Sequence, residues 1–438
     1  MLRNQFEKID GDQKYRLAQE IETLKPLAVQ LFDELREMSR DVQGVTRPSY
    51  GEGETEAAAI VQRAAETFGL KSRFDAAGNL LVTRPDCVGA RGGVITGSHL
   101  DSVPQGGNFD GAAGVIAGLL VLVALEKMGA SLSEPVTLFG IRGEESAWFS
   151  IHHIGSRAAL GLLPAKELDT AKRFDTGRTL RDYMEDLGCN IDAIEKGVPT
   201  FDTTALRAYL ELHIEQGPVL VHEEIPVGIV SGIRGNFRVR DGHCLGEYAH
   251  SGAVPRLMRH DAFLAIAELA SRCEKEWETI ETEGGDLVLT FGKAHTDPDV
   301  HSHNKVPGDF HFVVDARSHE AATLDRIGEF LKTNSAEIAA RRGVRITLNG
   351  IGCVTPAPMD PSIRQIMTQA AAALAVPAIT IASGGGHDAG DFANAGVPSG
   401  MVFVRNPKGS HNPDEWMEID DFIKGTKVLG WTVMQLAK

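Results

Sequence analysis

Three histidines and several carboxylates in this chain of 438 residues have the types and spacing that metal-assisted hydrolysis requires. The densest stretch is GSHLDSVPQGGNFDGAAGVIAG, Gly97 to Gly118. It follows an apolar strand end (Val94, Ile95, Thr96), exposes His99 and Asp101, bends through glycines and delivers Asp110 at the mouth of a small-residue helix. Alternate residues of an extended segment share a face, so Asp101 is free to hold the second imidazole nitrogen of His99. A second apolar run, VTLFGI, is followed at once by Glu144 and Glu145. Adjacent residues at a strand end point in opposed directions, so one carboxylate can bind a metal while the other serves the water that metal activates. His213 lies in ELHIEQGPVL, and His411 follows a strand pattern in VFVRNPKGSHNP.

Taken singly, each has an ordinary reading: a surface histidine, a helix-capping aspartate, solvated loop glutamates, a core histidine bonded to a carbonyl. Together they form a complete set, with three imidazoles (His99, His213, His411), a potential bridging carboxylate (Asp110), a terminal one (Glu145) and a spare base (Glu144). Mixed imidazole and carboxylate ligation suits zinc, with cobalt or manganese as substitutes, and ions paired about 3.5–4 Å apart clamp a hydrolytic water.

The elements that must position these groups alternate strand and helix. Leu17, Ile21, Leu24, Leu27, Leu31 and Leu35 recur at helical spacing over 12–38, with Pro26 kinking or splitting the run. A helix near 55–68, a strand at 79–83, the strand into His99, a buried helix over 111–125 and a strand at 136–141 follow. Such alternation predicts an α/β layer around a largely parallel sheet, with ligands beyond the carboxyl ends of the strands. At this length two domains are expected, since single cores tend to split beyond about 250–300 residues. From about Ile229 the pattern changes to strands with turns, a helix at 261–278, more strands and a helix at 324–341. That places a smaller inserted α+β domain at 229–343, between catalytic segments 1–228 and 344–438.

The formal net charge of −16 argues against a nucleic-acid groove or an anionic membrane surface as partner. Five cysteines (Cys87, Cys189, Cys244, Cys273, Cys353), odd in number and without C-x-x-C spacing, fit reduced thiols in the cytoplasm. The opening MLRNQFEKIDGDQKYR lacks an apolar core, so no secretory leader is expected. The longest apolar run, 111–125, is short of the roughly 20 residues that span a bilayer.

GSHLDSVPQGGNFDGAAGV, GEES, GSRAAL, ELHIEQGP, AHSGAVP, NKVPG with DAR, GGGHDAGDFANAGVP and GSHNPDEW occur in a telling order. The chain resembles the dinuclear-zinc amidohydrolases, a group that includes N-carbamoyl-L-amino acid hydrolase, allantoate and ureidoglycolate amidohydrolases and β-ureidopropionase. These lie within the aminoacylase and carboxypeptidase superfamily. The resemblance implies a zinc-peptidase-like catalytic domain with a central mixed sheet and an inserted lid and dimerisation domain, and hence a homodimer. It implies two divalent ions, zinc first and manganese or cobalt as alternatives. His99 and His213 would complete one metal site, Glu145 and His411 the other, Asp110 would bridge them and Glu144 would be the general base. By the same likeness His250 would stabilise the oxyanion, Asn304 and Arg317 would grip a substrate carboxylate, and His387 and Gln216 would add substrate contacts. For Arg317 an ion pair with a neighbouring acid is the ordinary alternative. The adjacent His152 and His153 are read as non-ligands. The implied reaction is hydrolysis of a linear amide or ureido C–N bond of a small carboxylate-bearing molecule, an N-carbamoyl-L-amino acid or related ureido acid. An N-acyl-amino acid amidase or an allantoate or ureidoglycolate amidohydrolase is the alternative; a dipeptidase or a non-catalytic scaffold ranks lower. The chain departs from the group at Ser146, Ala147, Trp148, Phe149, where Gly-Ser-Arg-Phe is frequent, and at Ala253, Val254 and Arg256. An aromatic in place of the cation means either a bulkier, more apolar acyl group or simple packing.

Overall fold

The computed structural model describes residues 11–438, so most of the segment read for a leader lies outside the described residues. The chain divides into two compact units, one running to Ser231 and resuming with Met359–Lys438, the other Gly232–Pro358. The return therefore falls at Met359 and not near 344. The reason is a strand, Arg345–Val354, that pairs along Gly235–Leu245 and so stays with the second unit.

In chain order the first unit begins with strands β1 (Lys71–Phe74), β2 (Leu80–Thr83), β3 (Gly93–His99), β4 (Val136–Ile141), β5 (Leu206–Ile214) and β6 (Val227–Ile233). The second unit carries β7 (Gly235–Leu245), β8 (Ala249–His250), β9 (Val288–His295), β10 (Lys305–Val306), β11 (Asp309–Ser318) and β12 (Arg345–Val354). After them come β13 (Ala357–Pro358), β14 (Ala378–Ser383) and β15 (Ser399–Val404). The large sheet has spatial order β1-β2-β4-β3-β5-β15-β6-β13, with β14 also pairing β6. Its centre is parallel, since β3 runs with β4 and β5, and β15 with β5. β2 runs antiparallel to β4 and β1 antiparallel to β2, while β6 runs antiparallel to β15, which makes the sheet mixed.

Helix Ala112–Lys127 crosses from β3 to β4, and every residue from Ala112 to Leu125 is buried. A helix apolar on all sides has to be internal. Gly114 lets it lie directly on β5: a Cβ there would come within 2.2 Å of the Leu212 carbonyl oxygen. No described helix is long and apolar enough to cross a membrane. The periodic region 12–38 is split, as Gly11–Thr23 and Lys25–Met38, with Pro26 in the first turn of the second helix, where a missing N–H costs nothing. The next helix starts three residues earlier than its pattern suggests, Glu52–Thr67, behind Gly51. Helix Ile419–Leu436, beyond the elements expected from the sequence, packs against Gly11–Thr23 and Ala112–Lys127.

The second unit is a four-stranded antiparallel sheet, β12-β7-β11-β9. Helices Ala262–Thr282 and Ala321–Arg342 pack on it around a separate core that includes Phe237, Val239, Phe312, Val314, Ile327 and Leu331. Along β11 the even-numbered residues Phe310, Phe312, Val314 and Ala316 are buried, and the odd-numbered ones, Asp309 to Arg317, are half-buried on the other face.

Candidate metal centre

Four neighbouring parallel strands end at one edge of the large sheet, and each carries a candidate group on or just beyond its carboxyl end. β3 ends at His99, β4 is followed by Glu144 and Glu145, β5 holds His213, and β15 leads into the loop with His411. Asp110 comes from the turn before helix Ala112–Lys127. There Gly111 adopts φ +64°, and a Cβ on it would lie 2.5 Å from the His99 ring, so this turn demands glycine.

The side chains meet around Asp110. Its Oδ1 lies 3.1 Å from His213 Nε2 and 3.6 Å from His99 Nε2. Its Oδ2 lies 3.4 Å from His411 Nε2, which is itself 3.2 Å from Glu145 Oε1. Two donor groups result, His99–Asp110–His213 and Asp110–Glu145–His411, each with ligand atoms within 4.8 Å of one another. Glu144 belongs to neither group; its Oε2 is 3.8 Å from His99 Nε2.

These donors fit a divalent cation. Asp110 Oδ1 is buried and has no hydrogen-bond partner among the described residues, despite its imidazole neighbours. His99 Nδ1 faces the Asp101 carbonyl at 3.1 Å, and His213 Nδ1 faces that of Ile214 at 2.9 Å. Both outer nitrogens therefore carry a hydrogen toward a carbonyl, and both Nε2 atoms turn inward toward Asp110. Electrostatics agree. Hydrogen bonds to Asp110 and Glu145 push the His411 imidazole up to about 11. Burial would raise the Asp110 carboxyl, but His213, His411 and His99 hold it well below the carboxylate range. Protons balance this concentration of negative charge, and a cation at the inward nitrogens can replace them.

The adjacent glutamates are driven apart. Burial pushes Glu145 up to about 7 against the hydrogen bond from His411. Burial also opposes ionisation of Glu144, yet His99 and His153 outweigh it and hold the carboxyl at about 2. Glu144 is thus held ionised, and it is in neither donor group.

Buried groups hold this geometry. Asp101 accepts from the Glu144 and Glu145 amides at 3.1 Å each while lying 3.3 Å from His99 Nδ1, so it couples the two strand ends. Glu54 accepts from the Gly143 amide at 2.7 Å and pairs with Arg142 at 2.9 Å. Glu415 Oε1 accepts from the amides of Phe109 (2.8 Å) and Asp110 (3.1 Å). The fully buried Arg47 donates to the Leu100 carbonyl at 2.8 Å and to Asn108 Oδ1 at 3.2 Å, clipping both ends of the loop between His99 and Asp110.

The remaining candidates are distributed as follows. Gln216 sits at φ +61° and donates to Asp110 Oδ2 at 2.9 Å. His387 is buried against the His213 ring and 3.0 Å from Ser383 Oγ, inside the protein and not on an open surface. His250, Asn304 and Arg317 belong to the second unit. His250 is exposed, and its Nδ1 accepts from the Gly252 and Ala253 amides at 3.1 Å, which leaves the hydrogen on Nε2. The Ser302 hydroxyl donates to Asn304 Oδ1 at 2.5 Å, and Arg317 pairs with Asp315 at 2.9 Å, the ion pair that was its ordinary alternative. His152 and His153 enter no candidate ligand group. His153 nevertheless reaches the site: its Nε2 is 3.2 Å from Glu144 Oε1 and its Nδ1 2.6 Å from Asp391 Oδ2. No spacing signal in the sequence joins His153 to Asp391. Trp148 is packing: it is buried, donates to the Ser102 carbonyl at 2.7 Å and stacks on Phe174.

Residues 95–435 match the model of peptidase family M20/M25/M40. The chain is 35% identical over 400 residues to an N-carbamoyl-L-amino acid amidohydrolase of Geobacillus stearothermophilus, covering 90% of this chain and 94% of that protein. It is 31% identical over 396 residues to an allantoate amidohydrolase of Escherichia coli K12, covering 90% and 93% respectively. A crystal structure of a hydantoinase/carbamoylase family amidase from Burkholderia ambifaria superposes with a TM-score of 0.80 at 30% identity, over 94% of this chain and 96% of that one. With a match across most of its length and the candidate donors gathered at one sheet edge, the chain belongs to peptidase family M20/M25/M40.

Proposed function

We propose that this chain is a metal-dependent amidohydrolase that cleaves a linear amide or ureido C–N bond of a small carboxylate-bearing substrate, an N-carbamoyl-L-amino acid or related ureido acid foremost. The observation that carries the reading is the pair of donor groups sharing Asp110 beside an ionised Glu144 that neither group uses. The names of the relatives point to the same bond type. The buried, hydrogen-bonded Trp148 removes the reason to favour a bulkier acyl group.

His99, Asp110 and His213 would hold one divalent ion, and Asp110, Glu145 and His411 a second, with zinc the best match to the donors and manganese or cobalt as substitutes. When bound, such ions polarise a carbonyl and lower the pKa of water. Glu144 takes the proton of the attacking water and returns it to the departing nitrogen. His153, oriented by Asp391, keeps Glu144 aimed and ionised. From the second unit, His250 offers its Nε2–H to the oxyanion, and Asn304 and Arg317 take the substrate carboxylate in the bidentate manner open to a guanidinium. Gln216, bonded to Asp110, and His387, packed on His213, would add contacts to the substrate. An N-carbamoyl substrate then yields an amino acid, carbon dioxide and ammonia. The same reading makes the protein a cytoplasmic homodimer joined through its second unit, and the five free thiols suit that compartment.

Replacing Glu144 by Gln should lower turnover at least about 10²-fold while metal content stays at the wild-type level. Amine and ammonia release from N-carbamoyl amino acids, allantoate, N-acyl amino acids and dipeptides tests both base and substrate. Retained turnover in the variant, or cleavage of dipeptides alone, overturns the assignment.

A further inference from the structure

The second unit holds another convergence of metal-ligating side chains. Antiparallel register sets His243 of β7 directly opposite His311 of β11, and His311 directly opposite His295 of β9. Three imidazoles thus form one rung across three strands. The His243 and His311 rings stack with centroids 4.4 Å apart, and the His295 ring follows at 5.4 Å from His311. Asp309, two residues before His311 and on the same face, lies beneath the rung. Its Oδ2 is 2.9 Å from His243 Nε2, and its Oδ1 is 3.0 Å from His311 Nε2.

We propose that His243, His311 and Asp309 form a further binding site for a zinc-class divalent cation, separate from the donors of the first unit. The ligand atoms of these three residues already lie within 4.8 Å of one another. Asp309 Oδ1 is a buried carboxylate oxygen that completes no hydrogen bond among the described residues, although His311 stands beside it. It lies within the cluster, 3.0 Å from His311 Nε2. Two imidazoles and a carboxylate select zinc, nickel or copper over the harder magnesium and calcium. The rings lie only 6° from parallel, so sharing one ion requires them to fan apart. His311, whose side chain is 41% exposed, has room to rotate. Three protein ligands leave a fourth position for water or for His295, whose Nδ1 faces the Thr296 carbonyl at 3.2 Å.

An ion here would serve the sheet. The register of β11 against β7 slips between Phe312 and Val314, immediately after the rung. A bulge loosens a strand pair, and a ligand bridge one residue before it fixes the register on that side. The site also stands apart from Arg317 on the same face: six residues of strand at about 3.3 Å each separate it from His311 by roughly 20 Å.

The full-length chain, stripped with chelator and re-equilibrated at buffered free zinc, supplies the test. Zinc per chain, measured by plasma mass spectrometry, should be lower by one ion in the His243→Gln, His311→Gln double variant than in wild type. Asp309→Asn, a near-isosteric change, should weaken that ion's binding at least tenfold in a chelator competition. A His99→Asn variant should lose ions from the first unit yet keep this one, which separates this site from the proposed catalytic one. Equal zinc content in wild type and the double variant, or an unchanged competition curve for Asp309→Asn, overturns the proposal.

Discussion

At the scale of single residues, the turn at Gly111 decides whether the donors can meet. Its φ is +64°, and a Cβ there would stand 2.5 Å from the His99 ring, so any side chain both strains the backbone and displaces a ligand candidate. Gly111→Ala is expected to cost about 1–3 kcal/mol from backbone strain. It should also reduce bound metal, read by thermal denaturation and metal analysis of the same preparation. His153 is a subtler case. Between Glu144 and Asp391 it acts through the base and is a positioning residue. His153→Gln should lower kcat about 10–100-fold, in line with other partners that orient reactive groups, with KM and metal content little changed. Strained backbone gathers at the same place, where Gln216, His411 and His153 all adopt positive φ.

At the scale of elements, strand ends are fixed by partly buried ionic contacts. Asp286, just before β9, receives the Arg234 guanidinium from the start of β7 at 2.9 Å and the His319 amide from the end of β11 at 3.0 Å. Burial alone would raise its carboxyl, but His319 and Arg234 prevail and hold it well below the usual aspartate range. A carboxylate depressed in the folded state contributes stability that is present above its unfolded value, about 3.9, and lost as pH falls through the folded one. Wild type should therefore lose stability as the pH drops below about 4, and Asp286→Asn should flatten that slope in an acid titration followed by circular dichroism. At neutral pH the variant should be less stable by about 1–3 kcal/mol, because the charge opposite Arg234 and one of the two accepting oxygens are lost.

At the scale of the whole molecule, the two units divide the proposed chemistry. His99, Asp110, Glu144, Glu145, His213 and His411 all belong to the first, and His250, Asn304 and Arg317 to the second. Each unit has its own apolar core, the condition for folding separately. The Met359 amide donates to the Ser231 carbonyl at 3.1 Å, so the ends left by removing residues 232–358 are already adjacent. A chain with a short Gly-Ser link in place of that segment should retain the ions of the first unit and lose hydrolysis. Metal analysis and an amine-release assay check the two halves of that statement.

Local patterns along the chain specify the candidate donors and the strands and helices that bear them. His99 with Asp101, the Glu144–Glu145 pair and the buried helix after Asp110 are local patterns, and local spacing fixes faces and strand ends. Contacts beyond that range come from the way distant segments pack. The strand order β4-β3-β5-β15 brings together groups more than 300 residues apart, from His99 to His411, because parallel neighbours present their carboxyl ends at one edge. The link from Glu144 through His153 to Asp391, the support of Asp110 by Glu415, the burial of Trp148 and the histidine rung of the second unit depend on packing and cross-strand register. No periodicity along the chain encodes those contacts, since each partner is set by how separate segments fold against one another.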